Sequence, residues 1–131
     1  MKKFLFGITV FALLGCFALN ANSKELVREF NGSDSKATVE FEVKAPWIVD
    51  WRVRGDYPGQ MAVHVELVSS PGGEFLGKIV TTKYVDNGVR LFNEDGRYRF
   101  QVNSTLAEWT LRVEQLTRKE AEAYIPKDRI E

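Results

Sequence analysis

Few side chains of this sequence could carry out a reaction, because it contains a single histidine and a single cysteine. His64 alternates with Val63 and Val65, so its imidazole belongs to the face of a strand opposite an apolar stripe. A histidine acting as a general base needs a nucleophile and an orienting carboxylate within hydrogen-bond reach. Ser69 and Ser70 are close in sequence, but they fall in a turn that lacks the nucleophile-elbow pattern. We therefore interpret His64 as a solvent-facing strand residue and predict no catalytic residue.

The spacing of the carboxylates and of possible metal ligands gives no stronger evidence of an enzyme than His64 does. Glu40 and Glu42 share one strand face, a spacing that a glycosidase could use only across a cleft, and solvated surface is the simpler interpretation. His64 with a carboxylate such as Glu66 has no recognised metal-binding spacing. One cysteine excludes cysteine-ligated zinc, iron–sulfur clusters and an internal disulfide. The sequence therefore predicts no enzyme, no metal site and no cofactor, and a small secreted hydrolase stays as an alternative.

Aromatic side chains could instead bind a ligand, since a flat ring can stack on the apolar face of a sugar. Trp47, Trp51 and Trp109 alternate in phase with valine or leucine, which is where the core residues of a strand fall. We interpret these three as core. Tyr57 and Phe92 stand beside turns and are better candidates for an exposed contact.

Three arginines form a further candidate surface. Arg97 and Arg99 lie on the polar face of one predicted strand, and Arg112 lies on the polar face of the next, which a hairpin would make its neighbour. Such a cationic strip could face an acidic partner or lipid headgroups. Ordinary cross-strand pairing with residues such as Glu114 is the simpler account. The candidate partner-contact residues are therefore Arg97, Arg99, Arg112, Tyr57 and Phe92.

The first residues are typical of a bacterial export signal. Two lysines precede an apolar run over 4–19, which is short for a helix that spans a bilayer. Ordinary cleavage before Asn22 would make 1–21 the signal peptide. The segment 13–16 resembles a lipobox, in which Cys16 would be lipidated. We expect a periplasmic or secreted protein, with lipid anchoring through Cys16 as the alternative and no other contact with the membrane.

Composition limits the class of partner. Cleavage after residue 21 removes two lysines and no acid, so the mature charge is 16 minus 18, or −2. Without a basic excess to neutralise phosphates, nucleic acid is excluded as a partner. A chain with 44% apolar residues is typical of a compact globular domain.

Period-two alternation from residue 36 onward indicates strands. Turn sequences at 70–73 and at 86–88, the second read as a tight hairpin turn, separate about eight short strands. No helical period crosses the body, which disfavours a parallel α/β sheet. We expect an all-β fold, an antiparallel β-sandwich of jelly-roll or immunoglobulin-like type over 22–116, with a small closed barrel as the alternative.

One helix is predicted at the end of the chain. Thr117 and Glu120 fit a capping box, and Pro126 stops the helix. The C-terminal helix and tail then occupy 117–131.

Two stretches resemble parts of small exported bacterial β-sandwich domains of uncharacterised function. Their opening is similar to 30–33 with Thr38, Phe41 and Pro46-Trp47, and their closing hairpin is similar to 94–102 followed by 109–113. The resemblance covers most of 30–113. It implies a β-sandwich and an envelope location, and it carries no catalytic residue.

These observations favour a non-enzymatic exported binding or accessory module of the bacterial cell envelope. Its expected partner is another envelope protein, contacted through exposed strand edges or the C-terminal helix. A carbohydrate-binding module that binds glycan through Tyr57 or Phe92 is the main alternative.

Overall fold

The computed structural model of the protein describes residues 24–125. The predicted signal peptide, Cys16, Pro126 and the tail lie outside the described residues. Within 24–125, no helix has the length and apolar character needed to cross a membrane.

Between residues 24 and 125, nine antiparallel strands form two separate sheets, so the predicted β-sandwich is confirmed and the alternative of a closed barrel is wrong. The strands are β1 Glu25–Gly32, β2 Lys36–Ala37, β3 Phe41–Val43, β4 Trp47–Arg54, β5 Ala62–Ser69, β6 Phe75–Thr82, β7 Asp86–Phe92, β8 Gly96–Thr105 and β9 Glu108–Gln115.

The two sheets differ in how their edges are built. Sheet A has the order β1-β9-β4-β7. Sheet B has the order β2-β8-β5-β6, and β3 pairs with β8 beside β2. The edge strands are therefore β1 and β7 in sheet A, and β6 with the short β2 and β3 in sheet B.

The predicted pairing of the last two strands is wrong. β8 and β9 are consecutive in sequence but lie in different sheets, because Leu106 and Ala107 carry the chain from sheet B to sheet A. The apolar stripes of the two strands thereby face each other across the core instead of standing side by side. Arg97 and Arg99 consequently lie in sheet B and Arg112 in sheet A, so the predicted cationic strip does not exist.

The segment 86–88 is not the hairpin turn that its sequence predicts. It begins β7, and the turn between β6 and β7 is 83–85, which again crosses between the sheets. Gly88 is opposite Trp51 of β4, and a Cβ atom at Gly88 would lie 2.5 Å from Cζ2 of the indole. The glycine is needed for close approach of a side chain rather than for a turn.

The core between the sheets is aromatic at its centre. Trp47 and Trp109 are fully buried, which confirms their prediction as core, and Trp51 is partly buried against the same cluster. The rings of Trp47 and Phe92 stack with centroids 4.5 Å apart, and those of Phe41 and Phe100 stack at 5.2 Å. All three tryptophans belong to sheet A, whereas His64 belongs to sheet B.

The turn at 93–95 accepts hydrogen bonds from side chains of both sheets and so connects them. The Trp47 indole N–H donates to the Glu94 carbonyl (2.9 Å), and the Tyr98 hydroxyl is placed to donate to the carbonyls of Glu94 (3.0 Å) and Asp95 (3.1 Å). Burial raises the pKa of Tyr98, so the phenol stays a donor well into alkaline solution.

The C-terminal helix is a single turn, α1, Arg118–Ala121, followed by a 3-10 turn at Glu122–Tyr124. The predicted capping box is confirmed: Glu120 N donates to Thr117 Oγ1 (3.1 Å) and Thr117 N donates to Glu120 Oε1 (2.8 Å). A small apolar cluster holds this segment on the outer face of sheet A: Ile48, Leu91, Leu116, Ala121 and Tyr124.

Because Trp51 packs against Gly88, alanine at position 88 should destabilise the protein, whereas replacing a strand glycine by alanine is usually stabilising. Gly88→Ala should lower the free energy of unfolding by about 1–3 kcal/mol, because the new methyl group overlaps the indole. Gly77→Ala is the matched control, since its Cβ would meet only Arg90 Nη2 at an ordinary 3.7 Å, and it should be neutral or slightly stabilising. Urea unfolding of both variants measures the difference. Equal stability of the two would contradict the packing described.

Candidate functional site

His64 lies half-exposed on the outer face of sheet B, as its alternation predicts. Its Nδ1 is 2.6 Å from Thr81 Oγ1 and its Nε2 is 2.8 Å from Glu66 Oε2. Sequence analysis missed Thr81, because only the pairing of β5 with β6 brings it opposite His64. Thr81, His64 and Glu66 therefore form a hydrogen-bonded series on the exposed face of sheet B.

The other titratable candidates are paired with neighbours on the surface. Arg97 lies 3.6 Å from Glu40 and 4.0 Å from Glu42, and Ser70 Oγ donates to the other Glu40 oxygen (2.6 Å). Within 24–125, no three histidine, cysteine or carboxylate side chains are grouped as a metal ion would require. The carboxylate pair therefore belongs to an exposed ion-pair cluster at the edge of sheet B.

Arg112 is surrounded by acids on the outer face of sheet A. Its guanidinium is 2.8 Å from Glu29 and 3.2 Å from Glu114, and Asp50 of β4 is its cross-strand neighbour. Arg99 is opposite Val68 on sheet B. No single partner surface contains all three predicted arginines, because they lie on opposite sides of the sandwich.

Phe92 is less exposed than its place beside a turn predicts. One contact is the stacked Trp47 ring, and the Arg90 guanidinium lies 5.5 Å from the Phe92 ring centroid. The ring lines a small apolar opening between β6 and β7, of about 260 Å³, together with Leu67, Leu76 and Tyr98. Phe92 therefore lies at the edge of the core, with part of its ring accessible from this opening.

Tyr57 is exposed, as predicted, and it stands where several loops meet at one end of the sandwich. Loop 55–61 is joined to loop 83–85 by a hydrogen bond from Gly59 N to the Lys83 carbonyl (2.8 Å). Loop 55–61 also touches the β8–β9 turn, since a Cβ atom at Gly55 would lie 3.1 Å from the Leu106 carbonyl oxygen. The loops enclose a groove of about 670 Å³, here called the loop-end groove, lined by Ser33, Arg54, Gly55, Asp56, Tyr57, Val85, Leu106, Ala107 and Glu108.

One half of the loop-end groove is apolar. Tyr57, Val85 and Leu106 come from three different loops, and each is more than half exposed, at 54%, 59% and 55%. Tyr84, beside Val85, is exposed to the same extent. Large apolar side chains gathered in this way on a surface are typical of an interaction site.

Leu106 lines the groove, and its backbone conformation is strained. Its φ is 56°, a left-handed conformation that costs an L-residue about 1–2 kcal/mol and is unusual for a bulky side chain. A glycine or asparagine would adopt it more readily, yet the position holds an exposed leucine. Strain retained at an exposed apolar residue points to a role outside folding. Sequence analysis missed Leu106, although a leucine in a turn without glycine was a usable signal.

The other half of the groove is polar. Arg54 Nε lies 3.6 Å from Glu108 Oε1, and Asp56 also lines the groove. A second depression of about 470 Å³ shares Ser33, Arg54 and Glu108 with the loop-end groove and extends it along sheet A toward Glu29, Asn31 and Thr110. The combined surface offers an apolar contact next to charged hydrogen-bonding groups.

The chain enters the domain at the opposite end. β1 begins at Glu25, paired with Gln115, and ends at Gly32, beside the groove. Lys24 Nζ donates to the Tyr124 hydroxyl (3.0 Å), a hydrogen bond that raises the pKa of Lys24. The full length of sheet A therefore separates the N-terminal side of the domain from the loop-end groove.

Comparison with known proteins shows distant structural likeness and no match in sequence. No protein-family model matches the chain, and no curated protein matches it either. Among solved structures it is similar to a carbohydrate-binding module from Cellvibrio mixtus lichenase 5A in complex with cellotriose, with 12% identity, coverage of 70% of this chain and 83% of that one, and a TM-score of 0.38. A likeness this distant says nothing about the ligand of the present chain.

Because the backbone at Leu106 is strained, the stabilities of its glycine and alanine variants should be in the reverse of the usual order. Leu106→Gly should be more stable than Leu106→Ala by about 1 kcal/mol, because only glycine adopts a positive φ without cost. Both variants remove the exposed isopropyl group of Leu106, so the remaining difference is the Cβ atom and its effect on the backbone. Thermal and urea unfolding measure it. The ordinary order, alanine above glycine, would show that the turn is not strained.

Proposed function

We propose that this protein is a non-enzymatic exported binding module of the bacterial cell envelope, and that it binds its partner through the loop-end groove. The observation that carries the proposal is the convergence of Tyr57, Val85 and Leu106 from three loops at one end of the sandwich, each more than half exposed.

Another protein is the partner that fits this surface best. Val85 and Leu106 add apolar area of the kind found in the centre of protein interfaces, and aliphatic side chains provide no ring for a sugar to stack on. Tyrosine and arginine are the residue types that most often dominate binding energy, and Tyr57 and Arg54 both line the groove. The strained Leu106 supports the same conclusion, since its side chain is held out toward solvent.

The groove would be accessible in either form of an exported domain. A domain held at its N-terminal side, whether by a lipid on Cys16 or by another attachment, would present the loop-end groove away from the point of attachment. A freely exported domain would leave the groove equally accessible. The proposal therefore does not depend on which of the two processing routes the signal follows.

The groove residues favour binding over catalysis. Of its three charged residues, Arg54 and Glu108 pair with each other and Asp56 is the third, and Ser33 carries the only aliphatic hydroxyl among the lining residues. The single histidine of the chain lies on the outer face of sheet B and does not line this groove. These positions leave a nucleophile in the groove without an imidazole to activate it.

Glycan binding is the second candidate, and the polar half of the groove is the observation that favours it. Tyr57 lines the groove together with Asp56, Arg54 and Glu108. A ring next to charged hydrogen-bonding groups could stack on one face of a sugar while the charged groups bind its hydroxyls.

Substitution of Tyr57 tests the proposal. After chemical crosslinking in envelope extract, Tyr57→Ala should recover at least about tenfold less of the partner protein than the wild type, because truncating an aromatic anchor costs about 2 kcal/mol or more. Phe75→Ala is the matched control, since Phe75 is equally exposed on β6 but does not line the groove. Quantitative mass spectrometry of the crosslinked products gives the ratio.

Two outcomes would change the conclusion. Equal recovery with Tyr57→Ala and wild type would remove the loop-end groove from the account. Binding of the wild type to a glycan array, lost in Tyr57→Ala and kept in Tyr57→Phe, would replace the protein partner with a glycan.

A further inference from the structure

Three of the edges of this sandwich carry features that prevent pairing with another strand. β1 has a bulge between Leu26 and Arg28, and β6 breaks register twice against β5. β2 and β3 are only two and three residues long. Bulges and very short edge strands are the usual means by which a sheet avoids adding a strand from another molecule.

The edge strand β7 has none of these features. Its seven residues pair with β4 in unbroken register, and it contains neither lysine nor proline. Asn87 N donates to the Asp86 carboxylate (2.8 Å), so that N–H points away from β4. Since backbone direction alternates along an antiparallel strand, Val89 and Leu91 also direct their backbone groups outward. Among the described residues, no backbone hydrogen bond outside the sheet ladders reaches them.

The side chains of β7 also leave this edge open. Val89 is 46% exposed on the outer face of sheet A. The one cation of the strand, Arg90, is turned to the other face, where its guanidinium donates to the Lys78 carbonyl of β6. A guanidinium bound in this way does not oppose the pairing of another strand as a free lysine at the edge would.

We propose that β7 pairs in antiparallel fashion with β7 of a second copy of this chain, with Val89 on the two-fold axis. This register places Val89 opposite Val89 of the second copy, and it matches outward-directed backbone groups along the strand, with Asn87 N exchanging the Asp86 carboxylate for the Leu91 carbonyl of the second copy. Gly88 then lies opposite Arg90 of the second copy, and because glycine has no side chain, Arg90 can keep its hydrogen bond to the Lys78 carbonyl in the pair. A register centred on Arg90 would oppose two arginines, and like charges directly opposite destabilise a strand pair.

Pairing through β7 would join the two copies of sheet A into one continuous eight-stranded sheet. Because paired antiparallel strands run in opposite directions, the two loop-end grooves would lie at opposite ends of the dimer. The dimer would therefore bind two partners at once. This second interaction surface is independent of Tyr57, and Tyr57→Ala should still dimerise.

Cysteine crosslinking tests the pairing. In a Cys16→Ala background, Val89→Cys supplies one thiol per chain, and two such thiols would be direct cross-strand neighbours. A short bis-maleimide should convert this variant to covalent dimer at least about tenfold faster than Val39→Cys, a similarly exposed control position between β2 and β3. Equal rates for the two variants would mean random collision and would overturn the proposal.

Sedimentation equilibrium gives a second test that needs no crosslinker. The wild type should self-associate with increasing concentration, and Val89→Lys should weaken that association by about tenfold or more, because it opposes two lysines at the axis. Val39→Lys should dimerise like the wild type. Far-UV circular dichroism and thermal unfolding show whether each lysine variant is folded. A wild type that stays monomeric at every concentration, or a folded Val89→Lys that still dimerises normally, would contradict the pairing.

Discussion

The packing of Trp47 between the two sheets is the interaction on which the structure depends. Its ring belongs to sheet A and lies 5.9 Å from Phe41 and 5.2 Å from Tyr98 of sheet B, centroid to centroid. Its indole N–H is satisfied by the Glu94 carbonyl, so the burial costs no unpaired donor. Close-packed rings fill the space between the sheets. The side chains able to contact a ligand are therefore on the surface, and most of all where the chain leaves the sheets.

The topology explains why these side chains gather at one end. The connections 33–35, 55–61, 83–85 and 106–107 all lie there, and each crosses from one sheet to the other. Met61 and Ala107 of these connections are buried in the core. Tyr57, Val85 and Leu106 lie outside both sheets and stay exposed at this end. The same sandwich thus produces a closed core and a mixed apolar and polar surface at its end.

Sequence reasoning succeeded where a local pattern determines the structure. Alternation identified the strands and the core positions of Trp47 and Trp109, and the capping box at Thr117 located the helix. It failed where distant parts of the chain decide the outcome. The sequence of 86–88 predicts a turn, but Gly88 is required by the side chain of Trp51, which is far away in sequence. The prediction that β8 pairs with β9 rests on their being adjacent in sequence, and the two strands lie in different sheets. Likewise, Tyr57 was found beside a turn, but Thr81 and Leu106 become visible only once strand register and backbone torsion are known.

Hydrogen exchange on the complex recovered from envelope extract is the most direct test of a closed core with a binding surface at the loop end. Exchange of the free and bound protein, read by mass spectrometry, should slow on binding at 54–57, 83–85 and 106–108. The outer face of sheet B around His64 should keep its free rates. Slower exchange confined to that face, with exchange in the loops unchanged, would contradict a binding surface at the loop end. It would place the binding surface at His64, Thr81 and Glu66 instead.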